Sequence, residues 1–109
     1  MNLADMFGKL NEMKQNMENV RASLDQIHVE AESGGGMVKV VANANKQVLK
    51  LSIDPSVATD REMMEDLIVA AINKALEKAE EKGREELSKA ASGMLPNLPG
   101  LDLSQLGLK

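Results

Sequence analysis

The stretch Ile27-His-Val-Glu-Ala-Glu-Ser-Gly-Gly-Gly-Met-Val-Lys-Val-Val-Ala-Asn-Ala-Asn-Lys-Gln-Val-Leu-Lys-Leu-Ser-Ile-Asp54 repeats its apolar residues with a period of two. That period belongs to strands that bury one face. Ile27, Val29 and Ala31 alternate with His28, Glu30 and Glu32; Val38, Val40 and Ala42 alternate with Met37, Lys39, Val41 and Asn43; Leu49, Leu51 and Ile53 alternate with Val48, Lys50 and Ser52. Gly34, Gly35 and Gly36 supply a first turn, where positive φ is easily adopted. Asn43 to Lys46 supply a second, with asparagines that tolerate the left-handed region. The three runs therefore predict an antiparallel meander whose more polar face carries Lys39 and Lys50, with Lys46 at a tip.

Upstream of the meander, Leu3, Met6, Leu10, Met13, Met17, Val20, Leu24 and Ile27 recur at steps of three and four. A seam of two positions in seven marks a helix, here Leu3 to Ile27, that packs along another helix rather than on a broad core. Leu10, Met13, Met17, Val20 and Leu24 are its candidate dimer or helix-packing residues. Lys14 and Arg21 flank one side of the seam with Phe7, and Lys9 flanks the other; Asp5, Glu12, Glu18 and Asp25 lie on the outer face. Parallel self-pairing would oppose Lys9 and Lys14, and antiparallel self-pairing would join the Lys14 and Arg21 edges. An acid-flanked mate is better, and the second helix is one.

Downstream, Asp54-Pro55 ends the sheet and Thr59-Asp60-Arg61-Glu62 reads as a capping box that opens the second helix. Met64, Leu67, Ile68, Ala71, Ile72, Ala75 and Ala79 make a broad apolar face that suits a sheet. Beyond Ala79 that face gives way to Lys82, Glu85, Glu86 and Lys89, leaving only a thin line of Gly83, Leu87 and Ala90. The segment Glu80 to Ala91 is expected to project as an arm that touches at most one partner along that line. Glu80 with Arg84, Lys82 with Glu86 and Glu85 with Lys89 are favourable pairs on a solvated face. The helix is expected to stop after Ser92-Gly93, giving one domain over 1–93 and a mobile tail over 94–109 rich in Leu, Pro and Gly.

Composition narrows the chemistry. The chain of 109 residues has no Cys, one His and one aromatic residue, Phe7, so thiolate metal sites and Cys nucleophiles are excluded and an aromatic base-stacking platform is not expected. His28 stands alone on the polar side of the first strand, and the glycine triplet joins two strands instead of opening a helix, so neither a catalytic histidine nor a phosphate loop is indicated. No enzyme, metal or cofactor is expected. The opening residues lack both a basic start and a continuous apolar run, which points to a soluble cytoplasmic protein. With a net charge of −4, any nucleic-acid contact must come from segregated cations.

The run Ser33-Gly-Gly-Gly-Met-Val-Lys-Val-Val-Ala-Asn43, followed by Val48-Leu-Lys-Leu-Ser-Ile-Asp-Pro55, resembles the YbaB/EbfC family of bacterial nucleoid-associated proteins. Met6-Phe7-Gly8-Lys9, Met64-Glu-Asp-Leu-Ile-Val-Ala-Ala-Ile-Asn73 and the closing Ser92-Gly93-Met94 extend the likeness over nearly the whole chain. The Asn43-Ala44-Asn45 turn departs from it, since family members often carry a glycine there. The resemblance implies an α+β, α-β-β-β-α subunit that forms a tweezer-like homodimer, binds duplex DNA at the nucleoid, and influences nucleoid organisation and gene expression. Little sequence specificity is expected, because no recognition-helix motif is present.

Three groups of cations are the candidate DNA contacts: Lys9, Lys14 and Arg21 on the first helix, Lys39, Lys46 and Lys50 on the meander, and Lys78, Lys82, Arg84 and Lys89 on the arm. The competing reading is a protein-interaction adaptor or chaperone-like factor that uses its helices and the tail to engage another protein.

Overall fold

The computed structural model describes residues 2–94, ordered as α1 (Leu3–Ser23), a 3-10 turn (Leu24–Gln26), β1 (His28–Ser33), β2 (Val38–Asn43), β3 (Val48–Ile53) and α2 (Arg61–Met94). This is the expected α+β, α-β-β-β-α fold. The strands form one antiparallel sheet in the order β1-β2-β3, and pairings such as Ala31 with Val40 and Val40 with Leu51 set their apolar positions on a common face. All three glycines of the first turn have positive φ, at 61°, 66° and 93°. α2 runs to Met94, just past the expected stop. The rest of the expected tail lies outside the described residues.

The second turn solves its geometry differently from expectation. Positive φ falls on Lys46, at 64°, and on neither asparagine. Asn43 is instead buried, its Oδ1 accepting the N–H groups of Asn45 at 3.0 Å and Gln47 at 3.1 Å, while its Nδ2 donates to Gln47 Oε1 at 2.7 Å. A side chain that satisfies the turn's own amides is worth more here than one placed in the left-handed region.

The start of α2 also corrects the expected capping box. Asp60 is the cap, its Oδ1 accepting the Met63 N–H at 3.1 Å, while the Thr59 hydroxyl donates backward to the Ser56 carbonyl at 3.2 Å. A carboxylate at this position satisfies an orphan amide and also complements the helix dipole, which a hydroxyl cannot do. In the preceding turn, the Asp54 carboxylate accepts from the backbone N–H of Ser56 at 2.9 Å and its hydroxyl at 2.7 Å, and these bonds hold its pKa below the usual carboxylate value.

α2 lies across β1 and β2. Ala71, Ala75, Ala79 and Gly83, four apart, are all buried, and their small size brings the helix axis close to the sheet. Ala31, Val38, Val40 and Ala42 meet the two alanines Ala71 and Ala75 in the core, with Leu67, Ile68 and Ile72 at its margin. Ser33, buried at the end of β1, donates its hydroxyl to the Leu67 carbonyl at 2.6 Å. The outer edge of β1 is covered too, since Lys78 Nζ donates to the Glu30 carbonyl at 2.8 Å and Lys74 Nζ to that of Glu32 at 3.4 Å.

β3 has no such cover among the described residues. Val48, Leu49 and Leu51 are between 43 % and 49 % exposed. The buried hydrophobics among the described residues are six alanines, three valines and Leu24. The described residues therefore bury mainly small side chains and leave many of the large ones outside.

The seam of α1 divides in two. Leu24 is buried and Met17 and Val20 are half-buried against the rest of the chain, whereas Leu10 and Met13, with Leu3, Met6 and Phe7, stay exposed. The projecting arm is consequently not α2 alone, as expected from its failing stripe. α1 and the last part of α2 leave the sheet together at the β2–β3 turn, and the molecule measures 68 × 26 × 16 Å.

Candidate nucleic-acid interface

Where the two helices part from the sheet, the β2–β3 turn is wedged between them. Asn45 Nδ2 donates to the Arg21 carbonyl at 2.9 Å and to Asp25 Oδ1 at 2.7 Å, while the Ala44 N–H reaches the Ile27 carbonyl at 2.9 Å. These bonds fasten the end of α1 to the turn. On the other side α2 presents Gly83, where an added Cβ would lie only 2.8 Å from the Ala44 carbonyl oxygen. Only a residue without a side chain permits this approach.

Beyond the wedge the helices enclose a cleft of about 780 Å³. Its apolar surface comes from Met17, Leu24, Ala44, Gly83, Leu87 and Ala91, and its cations are Arg21, Lys46 and Arg84. These three came from three separate groups in the sequence. The fold gathers them at one place because Arg21 ends α1, Lys46 sits in the turn that caps it, and Arg84 follows the glycine against which that turn packs. Glu80 is the acid lining the same cleft.

The other candidates are placed less favourably for phosphate. On α2, Lys82 pairs with Glu86 at 3.5 Å, and Lys89 pairs with Glu85 at 3.2 Å and Glu86 at 3.7 Å. The bond to Glu85 raises the Lys89 pKa and lowers that of Glu85, so both remain charged and mutually occupied. The expected Glu80–Arg84 pair does not form among the described residues, which leaves the Arg84 guanidinium available to a ligand. Lys78 is engaged by the Glu30 carbonyl.

Lys39 and Lys50 lie on the sheet face opposite α2, where the register sets Lys39 beside Glu32 and Val41 between Glu30 and Lys50. That face is mixed in charge. Lys14 is exposed on α1, and Lys9 lines a shallow depression with Asp5 and Glu12. Of the packing candidates, Met17 and Leu24 line the cleft, whereas Leu10 and Met13 are exposed among the described residues.

A family model described as the YbaB/EbfC DNA-binding family matches residues 1–94. The chain belongs to that family. A nucleoid-associated protein of Chlorobium phaeobacteroides is 47 % identical over 94 residues, covering 86 % of this chain and 85 % of the relative. Another, from Flavobacterium johnsoniae, is 37 % identical over 102 residues, covering 94 % of this chain and 96 % of the relative. The crystal structure of an uncharacterised Helicobacter pylori protein superposes with a TM-score of 0.73 at 30 % identity, covering 88 % of this chain and 99 % of that one. As a member of a DNA-binding family, the chain has its partner class defined as DNA.

Sequence reasoning named Arg21, Lys46 and Arg84 but scattered them among ten cations. It missed the structural roles of Asn43, Asn45 and Val57, the last fully buried in the β3–α2 connection. Asn43 had a usable signal, since its side chain can bond amides two and four residues on. Asn45 had none, because its partners lie 20 and 24 positions away.

Lys46 offers an unusual variant. A non-glycine residue at positive φ costs about 1–2 kcal/mol, and glycine relieves that cost at some loss in chain entropy. Lys46→Gly is expected to unfold at equal or higher denaturant concentration than the natural protein, by up to about 1 kcal/mol, while removing one cleft charge. Equilibrium unfolding in urea checks the first part and a duplex-binding titration the second.

Proposed function

We propose that this protein is a non-catalytic, nucleoid-associated homodimer that binds duplex DNA through phosphate contacts, reads little sequence, and thereby influences nucleoid organisation and gene expression. The observation that carries the reading is the convergence of Arg21, Lys46 and Arg84, from three elements, on one cleft of a protein otherwise net acidic. Flexible cations without a helix shaped for the major groove bond phosphates and leave base edges unread. Names of curated relatives as nucleoid-associated proteins agree with it.

Salt titration is the decisive experiment. Three contacts per subunit make six per dimer, so log K should fall with log salt at a slope of about −5. Affinities for unrelated duplexes should agree within a few-fold. A duplex that does not bind at low salt, or binding that ignores salt, would refute the reading.

The exposed large side chains of β3 support the dimer. A stable interface removes roughly 1,200–2,000 Å² from water, and Val48, Leu49 and Leu51 on the sheet and, separately, the exposed part of the α1 seam offer apolar surface of the kind a second copy covers. Leu49→Asp with Leu51→Asp is expected to convert a sedimenting dimer into monomer at micromolar concentration. A natural chain that sediments as monomer there would rule the dimer out.

A further inference from the structure

We infer that the apolar floor of the α1–α2 cleft is the docking site of the chain's own segment Leu95 to Asp102. α2 ends at Met94, three residues past Ala91, which lines the cleft, so the following segment starts at the cleft's outer mouth. That segment reads Leu95-Pro-Asn-Leu98-Pro-Gly-Leu101-Asp102. Its leucines recur every third residue beside prolines, and three is the repeat of the polyproline II helix, which would align Leu95, Leu98 and Leu101 on one edge.

The lengths match. From Glu80 to Ala91, α2 rises roughly 16 Å, while Leu95 to Leu101 in a polyproline II helix spans roughly 19 Å. A chain that turns back after Met94 therefore carries Leu98 to the level of Ala91 and Leu101 past Leu87. Met17, Leu24 and Leu87 supply apolar partners for these leucines. Prolines restrict the free segment, so less conformational entropy is lost when it seats.

Charge selects the direction. Asp102 is the only acidic side chain in residues 95–109, and it follows Leu101 directly. In the folded-back orientation it arrives beside Arg84 at the cleft rim. Docking thus fills the apolar floor and sets a carboxylate against Arg84, a cation proposed to contact DNA. Where that assignment holds, the docked segment competes with phosphate. That consequence rests on the DNA reading, whereas the docking itself is tested without DNA.

The natural absence of cysteine makes the test direct. The full chain carrying Leu98→Cys and Ser88→Cys is treated with a short bismaleimide and resolved on a denaturing gel and by mass spectrometry. An intramolecular crosslink, formed well above that of a Leu98→Cys, Glu62→Cys control, is expected. A crosslink found only between chains would overturn docking within one chain in favour of a second copy, and no enrichment over the control would overturn it outright. A second measurement avoids new cysteines: in the full chain with Leu98→Ser and Leu101→Ser, peroxide oxidation of Met17 relative to exposed Met6 should quicken about threefold or more. An unchanged ratio would contradict docking. Both readouts are independent of whether duplex DNA binds.

Discussion

Replacing Arg21, Lys46 and Arg84 together with glutamine is expected to weaken duplex binding by about a thousandfold at low salt and to flatten the salt dependence nearly to zero. Proteins making six phosphate contacts lose about that much affinity between 50 and 200 mM salt, so removing the contacts themselves has a comparable effect. Glutamine keeps the side-chain stems and avoids introducing repulsion, so the change in slope counts lost contacts. The comparison is Lys39→Gln with Lys50→Gln, whose positions share the sheet face with Glu30 and Glu32. It should cost less than tenfold. If instead the sheet pair abolishes binding and the cleft triple does not, the interface is the outer sheet face, and the cleft has another use. Circular dichroism of the triple variant should match the natural chain, because none of the three side chains makes a bond that holds the fold together among the described residues.

The second large effect concerns a glycine and runs against helix propensity. Gly83 lies within α2, where exchange for alanine would ordinarily stabilise by about 1 kcal/mol. Here the new Cβ meets the Ala44 carbonyl oxygen at 2.8 Å, in a residue whose N–H donates to the Ile27 carbonyl and whose neighbour Asn45 bonds the Arg21 carbonyl of α1. Neither side can yield without separating the helix from the turn. Overpacking of this kind costs about 1–3 kcal/mol or more, so Gly83→Ala is expected to destabilise on balance by about 1–2 kcal/mol. Thermal unfolding should shift down by roughly 4–8 °C for each kcal/mol lost.

Gly8 is the internal control, because it too is helical, yet a Cβ added there meets nothing within 4 Å. Gly8→Ala should therefore raise the melting temperature while Gly83→Ala lowers it. Two shifts of the same sign would mean that the wedge between α2 and the turn does not constrain the arm. Because the wedge also sets the distance between Arg21 and Arg84, Gly83→Ala should weaken DNA binding through geometry with all three cations intact.

Much of the architecture was legible in the chain. The period of two from Ile27 to Asp54 anticipated all three strands and most of the facing, since alternation is enforced by strand geometry residue by residue. It did not anticipate the bulge at the start of β3 that pairs Val48 with the buried Ala42. The glycine triplet anticipated the first turn for an equally local reason. The second turn and the start of α2 were placed correctly but attributed to the wrong residues. In each, two neighbouring polar side chains could serve, and hydrogen bonds to nearby amides chose Asn43 over the left-handed asparagine and Asp60 over Thr59.

The candidate interface was legible only as a list. Charge along the sequence cannot tell Arg84, which stands at a cleft, from Lys82 and Lys89, which pair with acids one turn away. Nor could the seam of α1 reveal that only its second half, from Met17 on, is covered by its own chain. The sequence by itself determined the elements, their order and their inward faces, because propensity, capping and periodicity act over a few residues. Tertiary structure alone decided that Arg21, Lys46 and Arg84 share one cleft and that Gly83 must lack a side chain. Those facts depend on how closely α2 approaches a turn some forty residues away, a distance fixed by packing the small buried stripe Ala71, Ala75 and Ala79 against the sheet.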